Sequence, residues 1–253
     1  WRMASAPLVD FHCHLDLYPD LAAAIRRSEV QEVFTLAVTT TPRAWAHNEA
    51  LASPTRFVRA ALGLHPQLIA QHAHELTLFE ALLPRTRYVG EIGLDAGPHY
   101  YRSLEQQKVV FERIIRLCAA ARDKVISVHS VRATKAVLDT IEQNLPPTHG
   151  RVVLHWFTGS SAEARRAVEL GCYFSINAEM LADSKRRALV RALPLERLLT
   201  ETDGPFTQVE GRPSEPGDVK VTVNRLAQLY GCSDESMRAR VAQNLRGLLT
   251  CPS

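Results

Sequence analysis

Histidines and carboxylates recur in this chain at spacings that suit metal ligation. His12 and His14 flank Cys13. On an extended strand, residues two apart share a face, so both imidazoles point one way and the thiol the other. Cys13 therefore reads as a packed thiol and not a ligand. His65 follows Leu-Gly-Leu, His129 closes Val-Ile-Ser-Val, and His155 closes Val-Val-Leu. Glu91 stands inside the otherwise apolar Val-Gly-Glu-Ile-Gly-Leu. A charge there is costly unless it is paired or metal-bound. A carboxylate bridging two metals accounts for it, and an arginine salt bridge is the plainer alternative. Glu201 and Asp203 close Leu-Leu-Thr-Glu-Thr-Asp, and one of the two is expected to complete the metal shell. Asp203, nearer the strand end, is preferred. Asp95 is either a hydrogen-bond partner of a ligand or a helix or turn cap.

This donor set holds imidazole and carboxylate without thiolate. It suits Zn²⁺, Mn²⁺ or Mg²⁺ with positions left open for water, and disfavours a closed structural zinc site. Two such ions roughly 3.5–4 Å apart can clamp a phosphate and generate hydroxide near neutral pH. No Ser-His-Asp or Cys-His nucleophile pattern stands out, and Gly-Ser-Ser at 159–161 reads as a helix start, not a nucleophile elbow.

The elements that must carry these residues alternate along the whole chain. Apolar or β-branched runs at 8–14, 32–39, 57–64, 88–94, 125–130, 152–157, 172–176 and 198–202 predict eight strands. Amphipathic stretches separate them, most clearly at 103–121, where Val109, Val110, Ile114, Leu117 and Cys118 keep a helical spacing. Further helices are expected at 183–193 and 218–230, each opening with an Asp suited to capping, and at 234–249 with Asp234 as N-cap. Eight strand-helix units of roughly 30 residues predict an α/β fold of the TIM (β/α)₈ barrel type, a single domain over 1–253. A doubly wound open sheet is the rival, but no glycine-rich phosphate loop follows the first strand. In a barrel the strand C-termini share one mouth, so His12, His14, His65, Glu91, His129, His155, Glu201 and Asp203 would converge there. The Gly- and Pro-containing stretch 206–218 reads as a long loop over that mouth.

Apolar residues make up 46% and charged residues 23% of the 253, an ordinary globular balance. Five scattered cysteines with no CxxC pair imply free thiols in a reducing, cytoplasmic compartment. No apolar run is long enough to span a bilayer, and residues 1–7 lack the hydrophobic stretch of a signal peptide, with Met3 a candidate natural start. A net charge of +3 is compatible with a polyanionic partner but too mild to argue for one.

The order and wording of the motifs resemble the TatD family of metal-dependent deoxyribonucleases. The similarity rests on Val-Asp-Phe-His-Cys-His-Leu-Asp (9–16), Gly-Leu-His-Pro (63–66), Gly-Glu-Ile-Gly-Leu-Asp (90–95), His-Ser (129–130), Leu-His-Trp-Phe-Thr-Gly (154–159), Glu-Thr-Asp-Gly-Pro (201–205), Glu-Pro (215–216) and Gln-Asn-Leu (243–245). The resemblance implies a TIM barrel that cleaves DNA, with exonuclease action on single strands favoured. It implies one metal on His12, His14, Glu91 and Asp203 and a second on Glu91, His129 and His155. His65 would contact the phosphate or leaving group or a further metal, Glu201 would support the site, and Asp203 could also take the proton of the attacking water.

Some positions depart from the family pattern. Val131 intervenes between His-Ser and Arg132, displacing the usual arginine; Gln67 replaces a second histidine; Ala96-Gly97-Pro98 replaces an aromatic; and the basic loop after Asp203 is thinned to Gly211-Arg212-Pro213-Ser214. These changes fit a divergent branch, such as the TatD-like component of the Qat anti-phage defence systems, which would imply defence-system partner proteins. The competing readings are a hydrolase of an amide or ester on the same metal centre, and a partner-dependent subunit of a defence complex. Tyr100, Tyr101, Trp156 and Phe157 could stack bases; the plainer reading puts Phe157 in the core and the tyrosines in ordinary loops. Lys185-Arg186-Arg187 reads as a solvated helix face, or else as a contact for an acidic partner.

Overall fold

The computed structural model describes residues 6–250; Met3 and Cys251 lie outside them. Eight strands alternate with helices: β1 (Leu8–Cys13), α1 (Leu21–Val30), β2 (Val33–Val38), α2 (Pro42–Ala52), β3 (Val58–Ala61), α3 (Ile69–His72), α4 (Leu76–Leu82), β4 (Tyr88–Gly93), α5 (Leu104–Ala121), β5 (Lys124–His129), α6 (Thr134–Asn144), β6 (Gly150–His155), α7 (Ser161–Glu169), β7 (Tyr173–Ile176), α8 (Ala178–Ala182), α9 (Ser184–Ala192) and β8 (Leu198–Thr200). α10 (Val219–Tyr230) and α11 (Asp234–Leu249) complete the outer layer.

Every pairing among β1 to β8 is parallel, in two runs ordered β1-β2-β3 and β4-β5-β6-β7-β8. Two seams close these runs into a barrel. Leu62 bridges Val89, with the Leu62 amide donating to Tyr88 O at 3.0 Å and Gly90 N donating to Leu62 O at 2.9 Å. On the other side Asp203 N donates to His12 O at 2.9 Å and the Thr200 hydroxyl donates to Val9 O. The expected barrel is the observed one, and its strands are near-continuously buried, as parallel strands covered on both faces must be.

Two glycines set how closely neighbouring strands approach at the mouth. A Cβ on Gly63 would lie 1.7 Å from Thr39 O, and one on Gly93, at φ +142°, 2.0 Å from His129 O. Only glycine admits that contact and that backbone together, which explains the second glycine of Gly-Glu-Ile-Gly.

Three local expectations need correction. Ser233, not Asp234, caps α11, its hydroxyl accepting from Ser236 N at 3.1 Å; Asp234 sits in the first turn instead. Asp218 does not cap α10 through its side chain, because its carboxylate is taken by Arg212 at 2.7 and 2.9 Å and by Glu215 N. Stretch 206–218 is not featureless loop: β9 (Gln208–Val209) and β10 (Arg212–Pro213) form a small antiparallel hairpin. Asp183 does cap α9, accepting from Arg186 N at 2.8 Å. Ser160 and Glu163 form a capping box at α7. Cys13, Cys118 and Cys172 are buried free thiols and Cys232 is an exposed one. No helix among the described residues is long and apolar enough to cross a membrane.

Candidate metal centre

The strand ends deliver the polar residues to one cavity of about 570 Å³, bordered among others by His14, His65, Glu91, His129, His155 and Asp203. Glu91 is its hub. One carboxylate oxygen, Oε2, faces Nε2 of His12 (3.3 Å), His14 (3.3 Å) and His65 (3.1 Å). The other, Oε1, faces Nδ1 of His129 (2.7 Å) and Nε2 of His155 (3.4 Å). Five imidazoles thus surround a carboxylate that is almost wholly buried. Burial alone would push Glu91 up, but His65, His12 and His155 outweigh it and hold the carboxyl well below its usual range. No arginine pairs with Glu91 among the described residues.

Asp203 adds Oδ1 to the Oε2 side, 3.8 Å from His12 Nε2 and 3.6 Å from His14 Nε2. It occupies the left-handed region at φ +54°, which Asp tolerates better than most residues. Burial raises it to about 7 against the opposing pull of His155 and His14. His12 Nε2 and Asp203 Oδ1 are buried without a hydrogen-bond partner. Buried polar atoms are almost always satisfied, so two orphans 3.8 Å apart fit a cation held between them. Donor atoms of His12, His14 and Glu91 converge closely enough for one ion, as do those of His65, Glu91 and His129. The residues present therefore fit divalent metal.

A layer of hydrogen bonds fixes the rings. His12 Nδ1 lies 2.8 Å from the Ser127 hydroxyl. His129 Nε2 lies 3.0 Å from Asp95 Oδ2, which also accepts from Gln67 Nε2 at 2.8 Å, while Asp95 Oδ1 accepts from Gly97 N at 2.7 Å. Asp95 is thus both ring partner and turn cap, and the two readings of it were not alternatives. Glu201 is fully buried behind His155. It takes His155 Nδ1 (3.2 Å), the Trp156 amide (3.2 Å), the Asn177 amide (3.0 Å) and the Ser175 hydroxyl. His12, His155 and Glu201 also cluster, but four donors already occupy the Glu201 oxygens, so it positions His155. Burial lowers His155, yet Glu201 and Glu91 on either side more than reverse this and raise it to about 10.

The cavity rim corrects the sequence reading in several places. Phe157 is fully buried and packs edge-on against Phe174 with ring centroids 5.3 Å apart, so it cannot stack a base. Tyr100 and Tyr101 do not border the cavity. Trp156 does, and so does Phe206, an exposed aromatic whose ring meets His14 edge-on at 5.1 Å. Sequence reasoning did not single out Phe206; a large aromatic three residues after a candidate ligand carboxylate, at the start of a mouth loop, was the available signal. Arg132, at φ +52°, also borders the cavity, despite the intervening Val131. Arg212 is committed to Asp218. Arg186 borders the cavity, whereas its neighbour Arg187 donates to Leu181 O.

The family model described as "TatD related DNase" matches residues 9–250. Human deoxyribonuclease TATDN3 is 28% identical, the alignment covering 96% of this chain and 94% of that protein. The Escherichia coli metal-dependent hydrolase YjjV is 32% identical over 82% of this chain and 83% of its own length. The crystal structure of that TatD homologue superposes with a TM-score of 0.84 at 29% identity, covering 97% of this chain and 98% of the other. An uncharacterized amidohydrolase from Saccharomyces cerevisiae shares the fold at 15% identity, with a TM-score of 0.79 and coverage of 96% and 99%.

Proposed function

The chain belongs to the family of TatD-related DNases, and from that premise we propose that it hydrolyses phosphodiester bonds in single-stranded DNA with two divalent ions held around Glu91. The observation that carries this reading is the split of the Glu91 oxygens between two sets of imidazoles. His12, His14, Glu91 and Asp203 would hold one ion. Glu91, His129 and His155 would hold the other, with His65 against the shared carboxylate. Zn²⁺, Mn²⁺ or Mg²⁺ bound there supplies the Lewis acidity that offsets phosphate charge and makes water nucleophilic near neutral pH.

The chain's own groups supply the rest. Asp203, which would hold the ion on the His12–His14 side, is also the carboxylate placed to take the proton of the attacking water. Glu201 accepts a hydrogen bond from the Nδ1–H of His155, the arrangement that would leave Nε2 free to ligate when an ion is bound. Arg132 stands at the mouth as a cation for the phosphate. Trp156 and Phe206 offer ring faces to the bases flanking the scissile bond. Such stacking contributes about 1–3 kcal/mol per base and tolerates any sequence.

The test measures metal content together with cleavage of a labelled single-stranded oligonucleotide by wild type and Asp203→Asn, with Mg²⁺, Mn²⁺ and Zn²⁺ in turn. Bound metal with cleavage lost in the variant supports the proposal. Bound metal with DNA intact under all three ions refutes the nuclease reading, and protein that takes up no metal refutes the centre itself.

A further inference from the structure

A second cavity, of about 1100 Å³, opens beside the metal centre and is bordered by Gly159, Ser160, Asp183, Lys185 and Leu189. Thr158 and Arg186 border both cavities, so the two meet at these residues. The character of the second differs from that of the first. No aromatic side chain borders it, and it offers bases nothing to stack on.

Its charges are unevenly committed. The Asp183 carboxylate caps α9 through Arg186 N, and the Ser160 hydroxyl is engaged with Glu163. Lys185 and Arg186 are exposed, and neither side chain pairs with a carboxylate among the described residues. Two cations therefore face the opening with one already employed anion. A guanidinium fork matches two phosphate oxygens at once, which an ammonium cannot do.

We infer that Arg186, with Lys185 beside it, holds the backbone phosphate next to the scissile one, so that a single strand passes from the metal centre over Thr158 into the second cavity. This rests on the nuclease reading above and adds its direction of travel and its preference for chains. Bases stack at Trp156 and Phe206 in the first cavity, while in the second only the sugar-phosphate backbone is gripped. Arg186 thereby becomes a specificity-determining residue that separates polynucleotides from small phosphodiesters.

The experiment compares wild type, Arg186→Gln and Arg186→Lys on a thymidine octanucleotide and on bis(4-nitrophenyl) phosphate, across a series of KCl concentrations. Arg186 is exposed and its helix cap runs through the backbone amide, so the fold should survive the change. Arg186→Gln should raise KM for the octanucleotide about tenfold with kcat unchanged, and leave the small diester untouched. The salt slope of log KM should shrink by about 0.7, the share of one single-strand phosphate contact. Arg186→Lys should keep the slope and lose part of the affinity. Equal loss on both substrates, a fall in kcat, or no change on the octanucleotide overturns the assignment of Arg186 alone. A wild type that cleaves the small diester but no oligonucleotide overturns the nuclease reading, and this inference with it.

Discussion

Replacing Glu91 by Gln keeps the shape of the hub and removes its charge. Five imidazole nitrogens stand 2.7–3.4 Å from the two carboxylate oxygens. In the variant one oxygen becomes an amide nitrogen that donates and cannot ligate, and the other loses its negative charge. Removing one partner from a buried charged set costs about 3–5 kcal/mol. At about 1.36 kcal/mol per decade that is roughly 10²–10⁴ in metal affinity. Glu91 belongs both to the His12–His14 group and to the His65–His129 group, so Gln weakens both ion positions together. Asp203→Asn touches only the first of these and should retain close to half the wild-type metal. The assay is metal content by mass spectrometry after dialysis against dilute chelator, with near-UV circular dichroism to verify the fold. Glu91→Gln protein that folds and still holds wild-type metal with wild-type DNA cleavage would falsify the bridging argument.

The surrounding residues give three further expectations. Glu201→Gln leaves one acceptor oxygen where four donors converge, so kcat should fall about 10–100-fold through misorientation of His155; a lowered kcat should come with a lowered melting temperature, and an unaltered kcat would deny Glu201 its positioning role. Burial raises Asp10 to about 8, only partly offset by its hydrogen bonds from Thr202. Its stabilising contribution in metal-free protein is therefore fully present below about pH 4 and lost as pH rises through about 8. Asp10→Asn, which can satisfy both Thr202 groups, should flatten the melting temperature over that window in EDTA, and an unchanged slope would show that Asp10 is ionised in the native state. Phe206→Ala removes a ring that is 63% exposed, so stability and metal content should hold while KM for single-stranded DNA rises about five- to tenfold; an unchanged KM would remove Phe206 from the substrate path.

Much of this site was legible because barrel strands encode their function locally. Period-two alternation put His12 and His14 on one face, and the ends of five further apolar runs gave the other polar positions one shared address. That convergence needs only the strand pattern and the closure of the barrel, both of which the sequence determines. Helix caps were less certain because Ser233 and Asp234 are both competent, and only the final backbone shows which side chain meets the orphan amides. Tertiary structure alone decided the division of labour among similar groups. Glu201 and Asp203 lie two residues apart on one strand end, yet one is saturated by Ser175, Asn177 and His155 while the other keeps a bare oxygen. Trp156 and Phe157 are neighbours, and a left-handed backbone at Trp156 sends one to the cavity and the other to the core. Arg132, in the turn after β5, and Arg186, in the first turn of α9, reach the same mouth from positions 54 residues apart. No periodicity within either segment specifies that meeting, because it depends on how the turn after β5 and helix α9 lie across the barrel end.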